Sequence, residues 1–342
     1  MHLKAVSDLL HARSFALGLA FGGVAFLLAA TPALLSRKRL PDVAGVAFVA
    51  AAWLAVRGAW GAELASRKVA VALLMLAVGG AIVGVVAGHV RGAGPYLLPA
   101  TAIAMTPGAI YLAASTPLAG SSTSRVVLAL ATIGIGVAVR DFDAVKGRRG
   151  APWLLFAVAA GGVYLAVPDT ELARVMLGVS VPFVLLSIPT PLCSFGAAGS
   201  AAVSGLFTWV VVVGGRGRPG SVVGGLAIIG LFVAEPVGRR LTARFTERAR
   251  RRVHSYEIGP IDRNQDSWLT KTLLAATAQF VIALYASRVV GREDKALSAL
   301  LILLPMIVIA VVVAPELYPK KRQRHRRRTR SSHRSQGAYA RR

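Results

Sequence analysis

The sequence predicts an all-α fold, a polytopic bundle of transmembrane helices. Three observations carry this reading. Apolar residues make up 55% of the 342 positions and charged residues only 16%, for a mean hydropathy of +0.61. Ala, Val, Leu and Gly fall in blocks near the ~20 residues a helix needs to cross about 30 Å of hydrocarbon. The short stretches between blocks are rich in Gly, Pro and basic residues, as turns between spans are.

The first apolar run extends from Ser14 to Leu35. It is too long for the roughly 7–15-residue core of a signal peptide, so a retained helix is expected. Gly18 and Gly22 form a small-xxx-small pair suited to close packing. The second run, Val43–Val56, follows Arg37, Lys38 and Arg39 and reaches to Trp60, with Arg57 extending to the interface. Val69–Gly88 is the third, lined by Gly80, Gly84 and Gly88 at four-residue spacing. Tyr96–Leu118 is the fourth, and Pro107-Gly108 near its middle predicts a kink.

Val126–Val139 is the fifth run, closed by Arg140. Asp141 and Asp143 then stand beside Lys146, Arg148 and Arg149, in what reads as a cytoplasmic anchoring turn. Polyprenyl transferases hold magnesium-diphosphate between two aspartate-rich loops. Here the Asp141/Asp143 pair has no second aspartate-rich loop to partner it, so that family is not assigned.

Pro152–Val167 is the sixth run. Residues 175–213 are too long for one span and hold Pro182, Pro189 and Pro191, with Ser187, Thr190, Cys193 and Ser194 near the centre. Two helices there give about eleven spans in all; a re-entrant hairpin gives about ten. Ser221–Val237 carries Glu235 beside Arg239 and Arg240, a pattern suited to an interfacial ion pair. Leu269–Val290 carries Gln279 near its middle, where an amide is expected to bond another helix. Ala296–Val313, with Pro305, ends the series.

Four regions follow: a membrane block over 1–238, a basic loop over 239–271, a helix pair over 272–318 and a basic tail over 319–342. In the loop, Leu241, Phe245, Ala249 and Val253 recur every four residues and predict an amphipathic helix on the headgroups. The tail lacks apolar periodicity and is expected to be disordered. More than half of the 40 Lys/Arg lie beyond residue 238. Basic residues flanking spans mark the cytoplasmic side, so a plasma (inner) membrane protein with a cytoplasmic C-terminus is expected. The same charge predicts an anionic lipid surface as partner, and not nucleic acid. A single cysteine, Cys193, excludes an intrachain disulfide, and the six histidines lack metal-ligand spacing, so no cofactor is expected.

For function, a transporter or permease leads, with a candidate path through Pro107, Ser187, Thr190, Ser194, Glu235 and Gln279. A non-catalytic envelope scaffold with a membrane-protein partner is second. An enzyme acting on a lipid-linked substrate is third, because the compact acidic pairs Asp141/Asp143 and Asp169/Glu171 have no histidine beside them.

Overall fold

A computed structural model describes residues 12–36, 43–60, 66–89, 96–116, 122–143, 151–166, 170–187, 194–216, 219–236, 273 and 276–285. Its regular structure is helical throughout, with no strand among the described residues. The helices are α1 (Arg13–Ser36), α2 (Val43–Trp60), α3 (Arg67–His89), α4 (Leu97–Ser115), α5 (Ser122–Asp143), α6 (Ala151–Ala166), α7 (Glu171–Ser187), α8 (Gly196–Gly214) and α9 (Pro219–Ile228). A short continuation of α9 covers residues 230–236, and α10 is Ala276–Tyr285. Within α1, α3, α4 and α8 lie stretches long and apolar enough to cross a membrane. Thr190, Cys193, the 239–271 loop, the 296–313 run and the tail lie outside the described residues.

The bundle is wound around α8. Every residue from Ala197 to Gly214 is buried, and α2, α3 and α5 form most of its sheath. Small residues allow that wrapping. Gly45 of α2 and Gly199 of α8 meet backbone to backbone, so a methyl group at Gly199 would sit 2.6 Å from the Gly45 Cα. On α3 the working glycines are the adjacent Gly79 and Gly80: the first meets Ala104 of α4, the second Ala197 of α8.

Outside this centre, α1 lies along α7. A Cβ at Gly18 would fall 2.5 Å from the Val175 carbonyl oxygen, and one at Gly22 would fall 2.7 Å from that of Val179. The Gly18/Gly22 spacing thus brings two backbones into contact, as in membrane helix pairs of the small-xxx-small type. Equal steps along both chains (18 to 22, 175 to 179) show that α1 and α7 run in parallel. The pair is tied at one end, where Ser14 Oγ donates to Glu171 Oε2 at 2.7 Å and Arg174 Nη1 donates to Glu171 Oε1 at 2.6 Å.

An aromatic cluster closes one end of the bundle. Phe48 meets Trp153, Phe156 and Phe183 edge-on at centroid distances of 5.4, 5.3 and 5.4 Å. Trp153 also stacks on Phe183 at 4.5 Å and touches Phe195 at 4.3 Å. Such pairs contribute about 0.5–1.5 kcal/mol each beyond area burial. Their positions place the helix ends as well. Phe183 is near the end of α7, Trp153 near the start of α6, and Phe195 immediately before α8. The described residues of the 175–213 stretch thus belong to two separate helices, with the end of α7 and the start of α8 brought together at the aromatic cluster.

One sequence reading changes. Arg140, Asp141 and Phe142 do not belong to a turn: α5 continues through Asp143, and all three are buried. Helix α4 is one element with Pro107 inside it, the proline ring exposed, while Gly108 faces Leu76 of α3. A proline on the outer face loses a donor without forcing a break that neighbours must fill.

Candidate functional site

The break in the bundle occurs where no proline stands. Helix α9 stops at Ile228, Ile229 is a turn, and helix resumes over 230–236. Two β-branched residues followed by Gly230 make a weak point in a helix. Phe232 N–H reaches back only three residues to Ile229 O at 3.0 Å, the tighter geometry of a 3₁₀ turn. Leu231 N–H leaves the helix altogether and donates to Gln279 Oε1 of α10 at 3.2 Å. In an apolar interior a backbone donor freed by a break needs such an acceptor.

Gln279 is fully buried, and its second polar atom, Nε2, has no hydrogen-bond partner among the described residues. One amide oxygen thus holds the break while the amide nitrogen keeps donor capacity in apolar surroundings. Glu235, 5% exposed, lies one turn past Leu231 on the same segment. Beside the break, Gly162 of α6 lets Ile228 and Ala283 approach: a Cβ there would meet them at 2.8 and 2.5 Å.

A second polar region runs between α4, α5 and α8. Asp143 Oδ2 accepts the Gly196 N–H at 2.8 Å, so a carboxylate from α5 caps the positive end of α8. One turn earlier, Arg140 Nη1 donates to Thr101 Oγ1 of α4. Further along, Thr132 and Thr208 share a hydroxyl–hydroxyl bond of 2.9 Å. Ser200, Ser204 and Thr208 recur every four residues on α8 and donate to carbonyls at 2.6, 2.7 and 2.9 Å. These hydroxyls are spent on the protein itself. The seam joins helices and leaves little for a ligand.

No family model matches the chain, and no curated protein or solved structure matches it.

The six predicted path residues fall in different settings. Glu235 and Gln279 belong to the region of the break. Ser187 is buried at the end of α7, and its Oγ has no partner among the described residues. Pro107 and Ser194 are exposed, and Thr190 lies outside the described residues. Among those residues no group of three His, Cys, Asp or Glu gathers to hold a metal. The break at Ile229 was not legible in the sequence because β-branched residues and glycine weaken a helix far less than a proline does. The Ile228-Ile229-Gly230 step was the available signal. Arg140 and Thr101 were not legible either, because a basic residue at the end of an apolar run ordinarily reads as an interfacial anchor.

Proposed function

We propose that the protein is a multi-pass membrane transporter or permease for a small polar solute, handled at the broken helix. The observation that carries this is the Leu231–Gln279 bond: a helix interrupted near its middle, opposite a buried amide whose Nε2 keeps unused donor capacity. Discontinuous helices at mid-membrane depth are where transporters expose backbone and amide groups to their cargo. The donor favours a solute that carries a hydrogen-bond acceptor, such as a carbonyl or hydroxyl oxygen.

The separation of α7 from α8 supports a topology of about eleven spans, because the two count separately. Positive charge beyond residue 238 supports a plasma-membrane setting with the C-terminus inside. Stopped-flow light scattering of proteoliposomes challenged with glycerol, urea or a hexose tests the reading. Expected is solute entry above empty liposomes, reduced at least fivefold by Gln279→Leu. Absence of entry for every solute, with labelled amino acids also excluded, would defeat it.

One observation favours an envelope scaffold as the second reading. The cavity between α2 and α3 is lined almost wholly by apolar atoms, and the hydroxyls of α8 bond to protein carbonyls. Co-purification of a stoichiometric membrane partner, with flux absent, would establish that alternative.

A further inference from the structure

A groove opens on the flank of the bundle between α2 and α3. These helices are consecutive in sequence yet scarcely touch, because each packs on α8 instead. The space left between them is about 190 Å³, with Val46 and Trp53 on one wall, Ala70 and Ala77 on the other, and Ala202 of α8 at the floor. Alanines make the slot: larger side chains at Ala70 and Ala77 would fill it. Leu74, which also lines it, is apolar and 60% exposed, so the groove opens to the outside of the bundle.

One end of the groove is different in kind. Trp53 Nε1 is buried without a hydrogen-bond partner among the described residues. The Arg57 guanidinium lies 5.2 Å from the Trp53 ring centroid. The first residues of α3, Arg67 and Lys68, are exposed, and α2 ends where α3 begins, so all three cations share that end. Within residues 57–68 the only acid is Glu63.

We propose that this groove holds one acyl chain of an anionic phospholipid, whose headgroup phosphate sits among Arg57, Arg67 and Lys68. The slot matches that occupant in shape and in charge. A space of about 190 Å³ takes a stretch of methylene chain but not a helix about 10 Å across, and an extended peptide would leave its amides unpaired against apolar walls. A zwitterionic headgroup would bring its own cation toward Arg57, Arg67 and Lys68. Phosphatidylglycerol-like chemistry offers the phosphate without that repulsion. The site differs from general attraction of basic segments to the membrane, because it binds one lipid in a fixed place. It does not depend on the transport reading.

Native mass spectrometry of the full chain, released from nanodiscs of equimolar phosphatidylglycerol and phosphatidylcholine, tests the proposal. Expected is one retained phosphatidylglycerol per chain, favoured at least tenfold over phosphatidylcholine. Ala70→Phe should abolish retention, and Arg57→Gln should bring the lipid preference close to unity. Brominated phosphatidylglycerol should quench a fluorescence component that is absent from Trp53→Phe, a conservative variant expected to fold normally. Equal retention of the two lipids by the unaltered chain, or identical quenching of Trp53→Phe and the unaltered chain, would overturn it.

Discussion

Gln279 Oε1 accepts the backbone N–H of Leu231 at 3.2 Å, across 48 positions of sequence. The bond makes an otherwise costly helix break tolerable. Replacing Gln279 by Leu removes the acceptor and leaves a buried amide N–H unsatisfied, which costs about 1–3 kcal/mol. Equilibrium unfolding in mixed detergent micelles should show that loss. Unchanged stability would mean that the break has another source of support.

Glycines on the same helix should behave oppositely. Gly18→Ala puts a methyl group against the Val175 backbone, which cannot rotate away, so α1 and α7 must separate. The expected penalty is roughly 1–3 kcal/mol, as for other overpacked contacts. Gly23→Ala meets nothing within 4 Å and should stabilise by up to about 1 kcal/mol through helix propensity. Thermal unfolding of both variants checks the contrast, and equal shifts would refute the α1–α7 contact.

The Thr132–Thr208 bond invites a double-mutant cycle with valine at each position. Each hydroxyl has one proton; Thr132 has two acceptors in reach, the Thr208 hydroxyl and the Leu128 carbonyl, and Thr208 has three, the Thr132 hydroxyl and the Ser204 and Gly205 carbonyls. Either threonine can therefore turn to its own helix when the other is lost. The coupling energy should be small, about 0.6 kcal/mol and no more than roughly 1.7. A larger value would show that the hydroxyl pair is part of a stronger network.

Asp143 and Gly196 give a test that does not depend on transport. Asp143→Ala removes the acceptor from the first turn of α8 and should cost about 1 kcal/mol, while Asp143→Asn keeps an oxygen and most of the stability. Hydrogen exchange at the Gly196 amide should accelerate in the alanine variant and much less in the asparagine variant.

Much of the helical content could be read from sequence. The Ser14–Leu35 run became Arg13–Ser36, and Val69–Gly88 became Arg67–His89, because uninterrupted apolar blocks leave a helix as the only backbone solution in hydrocarbon. Which faces turn inward was not legible. Exposed Leu74 and buried Leu76 are chemically identical two residues apart, and lipid and protein interior exert the same selection on both. The glycine pattern was informative only in part: Gly18/Gly22 marked a contact, whereas on α3 the contacts fall to Gly79 and Gly80. For the candidate site, Gln279 was visible as an amide in an apolar run. Its partner was not, because a backbone N–H carries no side-chain signature.

The enclosure of α8 carries a consequence for how the protein is made. Synthesis proceeds from the N-terminus, so α1 to α7 emerge before Gly196 exists. Until then the faces of α2, α3 and α5 that pack on α8 have no partner. Those three helices reach their final arrangement only once the last of the four has been made, so a chain ending before residue 196 is expected to lack a stable packed centre.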